Sequence, residues 1–292
     1  MRGWEYAETM LDKVSRTFAL NIKILGKNLR RPVLLAYLYM RMADTIEDDP
    51  DLSAEEKSDL LNKFSQAVNS GNSDEFANAL PQSWKNSEKD DYALCCNANI
   101  VIPLLLEYNA EPIKKAVEEM CNGMAEFAQR KFIIENEADL DRYCYYVAGL
   151  VGAMLSELWG HKELRELAVS FGLALQLVNI IKDMQEDSLR KVCFVPQELY
   201  RKHGIDYARI FLIQKAKRHL LDAKDYIKAL PRYKHRIRLF CLWPSLMAAA
   251  NLRVLSEGGN KITRATVKKI VRRTTLFGWS NSWIEKEFSS FS

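Results

Sequence analysis

Two pairs of aspartates, Asp44/Asp48 and Asp183/Asp187, lie four residues apart, each beside a strongly apolar run. That spacing stacks side chains on one helical face, so both stretches read as helices. In Gln176–Asp187, QLVNIIKDMQED, the stripe carries Gln176, Asn179, Asp183 and Asp187. In Tyr37–Asp48 it carries Tyr37, Arg41, Asp44 and Asp48. Two carboxylates one turn apart repel each other. A hard divalent cation relieves that repulsion, and Mg²⁺ favours one or two carboxylates together with substrate phosphates. A solvated acidic face is the alternative for either pair alone. Two such stripes opposed across a cavity would clamp a diphosphate through metal ions, and the second copy favours that reading.

The remainder of the chain points to helices throughout. Hydrophobic residues make up 48%, with only 12 glycines and 8 prolines. Alternating β-type runs with hairpin turns are nearly absent, so the expectation is an all-α single domain over residues 1–292. A net charge of +4 gives no case for nucleic acid. The six cysteines lack C-x-x-C spacing and mostly fall in apolar helical runs, which reads as buried reduced thiols in a cytoplasmic protein. No uncharged run exceeds the 15 residues of Tyr92–Leu106 and Leu167–Ile181, and the N-terminus lacks a signal-peptide core, so no transmembrane helix is expected.

In chain order, a helix over 4–14 precedes Ser15-Arg16-Thr17-Phe18, where a hydroxyl beside an arginine suits either phosphate binding or an ordinary serine cap. Pro32 suits the first turn of the Tyr37–Asp48 helix, and Pro50 helps to stop it. Ser53-Ala-Glu-Glu56 is a capping box. Residues 69–91 form a polar connection with a short helix. Helices follow at about 92–108 and 112–135, then one opening near Asp139. Gly149 and Gly152 are poor helix formers, so their pairing indicates close approach of another helix or of a ligand. Tyr143 beside them could be core, or could offer a phenol to a cation or a phosphate. Cys193–Leu199 reads as an irregular flap. Helices at about 206–230, 232–257 and 263–288 finish the chain. The four histidines fall in no triad-like or metal-like arrangement, and no Gly-rich nucleotide loop appears. In 264–279, RATVKKIVRRTTLFGW, basic residues run ahead of aromatics; this suits either a peripheral membrane contact or an ordinary basic terminal helix.

Taken in order, SRTFA (15–19), Y-x-x-x-R-x-x-D-x-x-x-D (37–48), YCYYVAGLVG (143–152) and LQLVNIIKDMQED (175–187) resemble the squalene/phytoene synthase family of head-to-head prenyltransferases. GMAEF (123–127), VAGLVG and FCLWPSLMA (240–248) are more similar to its squalene-forming branch. Lys182 departs from the family, which often has Arg there; charge is kept but the bidentate fork is lost. The resemblance implies an isoprenoid-synthase-like helical bundle around a central cavity. It implies condensation of two farnesyl diphosphates to presqualene diphosphate, then NADPH-dependent reduction to squalene. Mg²⁺ would be held by Asp44, Asp48, Asp183 and Asp187. Ser15, Arg16, Arg41 and Lys182 would face the diphosphate, with Gln176 and Asn179 positioning phosphate or metal-bound water. Tyr37, Phe18 and Tyr143 would face the allylic cation. No residue is assigned to NADPH. Two alternatives remain: an unreduced product (presqualene diphosphate, dehydrosqualene or phytoene), or a non-catalytic helical scaffold.

Overall fold

A computed structural model describes residues 3–108, 110–189 and 192–291, apart from the side chains of 16–17, 185–186 and 188–189. Every regular element among these residues is helical. The chain divides into two compact units, Met1–Lys131 and Phe132–Ser292.

The first unit is laid down around one long helix. Helices α1 (Gly3–Val14) and α2 (Arg16–Lys23) lead into α3 (Lys27–Asp48), whose Leu34, Leu35, Leu38, Tyr39, Met42 and Ile46 are fully buried. Helix α3 starts five residues before Pro32, so the proline lies inside the helix and not in its first turn as expected. An internal proline forgoes one backbone hydrogen bond. Helix α4 (Ala54–Ser70) opens on the predicted capping box: the Ser53 hydroxyl accepts from the Glu56 N–H, and the Glu56 carboxylate accepts from the Ser53 N–H. The polar stretch that follows holds α5 (Asp74–Ala79), α6 (Gln82–Lys85) and the start of α7 (Asp90–Cys96). It is pinned down by two buried aromatics, Phe76 and Trp84.

The expected helix at 92–108 is broken into α7, α8 (Ala98–Val101) and a 3₁₀ turn, Ile102–Glu107. The break meets a polar anchor: the buried Tyr39 hydroxyl lies 3.1 and 3.2 Å from the carbonyls of Val101 and Ile102. Helix α9 (Glu111–Gln129) packs on α3 and α4 and ends before 135, because Lys131 and Phe132 both adopt φ 54°.

In the second unit α10 (Glu137–Cys144) passes through a π-helical turn, Tyr145–Gly149, into α11 (Leu150–Leu158). Helix α12 (Arg165–Leu189) is the central element, packed by α11, the π turn, α13 (Gln197–Ala229) and α14 (His235–Ser256). Helix α13 is interrupted at Gly204, φ 82°, so its regular part begins where the sequence pattern places it. The single expected helix at 263–288 is two, α15 (Arg264–Phe277) and α16 (Asn281–Ser289). Ser280 caps the second by accepting from the Trp283 N–H, a serine cap that outweighs continued helix.

Of the glycine pair, Gly149 faces side chains, Val169 Cγ1 standing 3.1 Å from where a methyl would be, and Gly152, with Gly172 opposite, marks a backbone crossing. A methyl group at Gly152 would stand 1.9 Å from the Ala168 carbonyl oxygen, and one at Gly172 would stand 2.2 Å from that of Ala148. Backbone meets backbone there, with no space for a side chain. All six cysteines are free thiols; Cys95, Cys121, Cys144 and Cys241 are buried and Cys193 is exposed. Two helical stretches, Lys162–Met184 and His235–Ser256, are long and apolar enough to cross a membrane, with 44% and 67% of their apolar windows buried within the protein. Both stretches contain charged residues, so neither is a wholly uncharged run.

Gly172→Ala should lower the midpoint of thermal unfolding sharply, since overpacking a closed core costs about 1–3 kcal/mol or more. Gly26→Ala, where a methyl meets nothing within 4 Å, should lose far less. Equal losses in the two variants would show that the crossing tolerates a side chain.

Candidate active site

The first unit presents its acidic stripe on the last three turns of α3. Phe18 and Tyr37 stack, ring centroids 5.7 Å apart. Ser15 is the N-cap of α2, its hydroxyl accepting from the Phe18 N–H at 3.1 Å, so the capping role is the one the structure supplies. The Arg16 side chain lies outside the described residues. Burial raises the Tyr37 phenol above its ordinary pKa, opposed by the Ser15 hydroxyl and the Arg41 guanidinium. Arg41 is held in a bidentate pair with Asp91, Nε–Oδ1 2.8 Å and Nη2–Oδ2 3.1 Å. The Asp91 hydrogen bonds and charge, with Asp44 nearby, push Arg41 further toward its charged form.

Asp44 is the electrostatic centre of this unit. Burial, and then the neighbouring Asp48 charge, push its carboxyl up to about 7, with Arg41 pulling the other way. Beyond the stripe, buried Asp49 accepts from the Trp84 indole at 2.7 Å and from the Tyr92 hydroxyl at 2.8 Å. That clasp ties the end of α3 to α6 and α7.

The second unit carries its stripe on the C-terminal half of α12. Asp187 is buried and Asp183 half-buried. Lys182 Nζ lies 3.1 Å from Asn179 Oδ1 and 3.2 Å from Asp183 Oδ2. Lys182, Asp183 and Asp187 line a cavity of about 1020 Å³ within this unit; Gln176 and Asn179 share the helix but are not on its wall. Phe194, from the irregular 192–196 segment, lines the same cavity, and the buried Tyr143 stacks on it at 4.6 Å. Arg209 and Lys261 also line it, and Arg209 donates to the Leu255 carbonyl at 2.9 Å.

The donor sets fit a metal that arrives with its substrate. Among the described residues no group of three or more His, Cys, Asp or Glu could hold an ion alone. Mg²⁺ asks only one or two carboxylates of the protein when phosphate oxygens complete its shell. A carboxyl pushed up to about 7 by desolvation and then by a like-charged neighbour is the state that a cation would reverse.

Sequence reasoning missed Asp91, Asp49, Arg209 and Lys261. Asp91 and Asp49 carry no periodic signal. Lys261 follows Gly258-Gly259, where Gly258 has φ 85°, and that turn was a readable sign of a shaped loop. His219 has a serine and an aspartate near it: Ser170 Oγ lies 3.1 Å from His219 Nδ1 and 2.9 Å from Asp222 Oδ2. The serine sits between its partners, so Asp222 does not orient the imidazole as a nucleophilic triad requires.

The described elements make an all-α protein with an acidic stripe on a largely buried helix in each unit. Residues 11–274 match the squalene/phytoene synthase family, and the chain belongs to it. It is 32% identical over 269 residues to the squalene synthase of Rattus norvegicus, covering 83% of this chain and 61% of that one. It is 30% identical over 277 residues to that of Schizosaccharomyces pombe, covering 83% and 57%. The chain therefore spans about three-fifths of the length of these relatives. Among solved structures it is similar to TcSQS in complex with the ligand E5700: TM-score 0.83, 25% identity, covering 99% of this chain and 90% of that one.

Asp44 gives a pH signature in metal-free protein. Its folded carboxyl titrates at about 7 against an ordinary 3.8, so the folded state keeps a proton that the unfolded chain has released. Wild-type stability then falls as pH rises between those values, whereas an amide has no proton to lose. Asp44→Asn should melt above wild type at about pH 8, and the two should converge toward about pH 4. An advantage equal at both ends would refute the raised carboxyl.

Proposed function

We propose that this chain condenses two farnesyl diphosphates head to head into presqualene diphosphate and, with NADPH, reduces that intermediate to squalene. The observation that carries the first half is the pair of acidic stripes, one on α3 and one on α12, in a member of this family.

Asp44, Asp48, Asp183 and Asp187 would hold Mg²⁺, which when bound supplies positive charge to the departing diphosphate. Arg41, kept in one orientation by Asp91, adds a fixed cation beside the first pair. Lys182, Arg209 and Lys261 line the cavity that holds the second pair and offer positive charge to an anion there. The Phe18–Tyr37 stack and the Tyr143–Phe194 stack supply aromatic faces, which stabilise an allylic cation while excluding water. Gln176 and Asn179 are assigned to phosphate or metal-bound water, and Arg16 and Ser15 to the diphosphate.

The reductive step rests on the squalene-type form of GMAEF, VAGLVG and FCLWPSLMA. Phe240, Cys241, Leu242, Trp243 and Leu246 are buried in α14, so this last segment would act on packing and not by touching a ligand. NADPH is the hydride donor of that step. The protein is read as one functional domain, cytoplasmic, with peripheral membrane contact through 264–279.

Purified protein incubated with farnesyl diphosphate and Mg²⁺ should yield squalene only when NADPH is added. Presqualene diphosphate accumulating unchanged with NADPH present would remove the second step and leave the first. Asp183→Asn should lower turnover on the order of a hundredfold or more, as loss of a transition-state charge partner does, while the fold persists. Near-normal rates at limiting Mg²⁺ would refute the metal clamp. Lys182→Arg should retain activity, since Arg supplies a second N–H toward the same groups; a hundredfold loss would mean that the ammonium itself is required.

A further inference from the structure

Two chain breaks of the second unit expose aromatic side chains, and one buried cation ties them together. The turn between α13 and α14 reads Pro231-Arg232-Tyr233-Lys234, and Tyr233 is 84% exposed. The break between α15 and α16 exposes Leu276, Phe277 and Trp279, at 56%, 46% and 52%. Arg238, fully buried, donates to the Leu230 carbonyl at 2.7 Å, the Gly278 carbonyl at 3.2 Å and Asn281 Oδ1 at 2.6 Å. His235 Nε2 lies 3.4 Å from the Thr275 carbonyl oxygen. Both corners therefore occupy the same end of the unit, although some 40 residues separate them in sequence.

The exposed charge around them is mostly basic, the exception being Glu163, which lies 2.9 Å from His161 beside Lys234. Arg232, Arg236, Lys268, Lys269 and Arg272 are exposed, and none of them forms an ion pair among the described residues. The carboxylates of α16 are taken: Glu285 by Lys224 and Lys228, and Glu287 by Arg273.

We propose that this two-cornered face docks on the surface of an anionic lipid bilayer. Tyr233 and Trp279 have the amphipathic rings that favour the headgroup level. Leu276 and Phe277 are the apolar groups that would enter just below it. The unpaired cations meet lipid phosphates, each strengthening binding roughly fivefold, from about 1 kcal/mol per basic residue. A second copy of the chain is a poorer occupant, because a two-fold contact places the same patch against itself and sets arginine against arginine. The face extends the peripheral contact of 264–279 to residues of the α13–α14 turn that no terminal-helix reading contains.

The test is co-sedimentation of the full chain with vesicles of phosphatidylcholine alone, or mixed with phosphatidylglycerol. The mixed vesicles should bind the protein in a salt-sensitive manner and the neutral ones should not. Tyr233→Ser with Trp279→Ser, and separately Arg232→Glu with Arg236→Glu, should each weaken binding at least tenfold. Brominated acyl chains should quench wild-type fluorescence more than that of Trp279→Phe. Turnover of farnesyl diphosphate in detergent should be unchanged, so a failure of the catalytic reading and of this one are separable. If the Trp279 variant unfolds, Tyr233→Ser alone, in an exposed turn, carries the comparison. Variants that sediment like wild type, equal binding to neutral vesicles, or a solution dimer dissolved by Tyr233→Ser would each overturn the proposal.

Discussion

The second unit depends on a contact in which no side chain takes part. Gly152 and Gly172 let α11 and the π turn before it approach α12 until carbonyl oxygens stand where methyl groups would otherwise be. With that face closed, α12 is surrounded, and its Ala168, Phe171, Ala174, Leu177, Val178 and Ile181 are buried. A helix fixed on so many sides cannot rotate to place Asp183 and Asp187 in bulk water. The acidic end is therefore held on a cavity wall, with the Lys182 ammonium 3.2 Å from Asp183.

The first unit solves the same problem with polar ties. Arg41 is restrained by Asp91, and the residue just past the stripe, Asp49, is clasped by Trp84 and Tyr92. Buried carboxylates are tolerable when several donors converge on them. Asp49 has that company, whereas Asp44 is pushed toward its protonated form first by burial and then by a neighbour of its own sign. Two aspartates five residues apart thus have opposite characters, one held by converging donors and one pushed toward its protonated form.

Much of this was legible in the sequence because it rests on periodicity. The helical class, the two stripes, the Ser53 capping box and the close approach at Gly152 all follow from spacing or from residues with narrow conformational roles. What stayed hidden involves partners distant in sequence. Asp91 meets Arg41 across 50 positions, and Tyr39 reaches the Val101 carbonyl across 62; no local pattern announces either. Helix ends were misread where a competing local interaction was available, as at Ser280, where a cap splits an otherwise helical run. Ser15 shows the converse: its hydroxyl suited two roles, and local geometry supplied the nearer one.

The π turn at Tyr145–Gly149 carries a further consequence. Closing i to i+5 takes one residue more than an α-helical turn, and each residue of an α-helix advances the azimuth by about 100°. The turn therefore acts as a phase shifter between α10 and α11. Were the same residues wound as a regular α-helix, Gly152 would point away from α12 by roughly that angle, and a bulkier neighbour would arrive at the crossing. A single-residue deletion from 145 to 149 would thus be absorbed by closing the turn as ordinary α-helix, whereas an insertion there would put the whole of α11 out of gear.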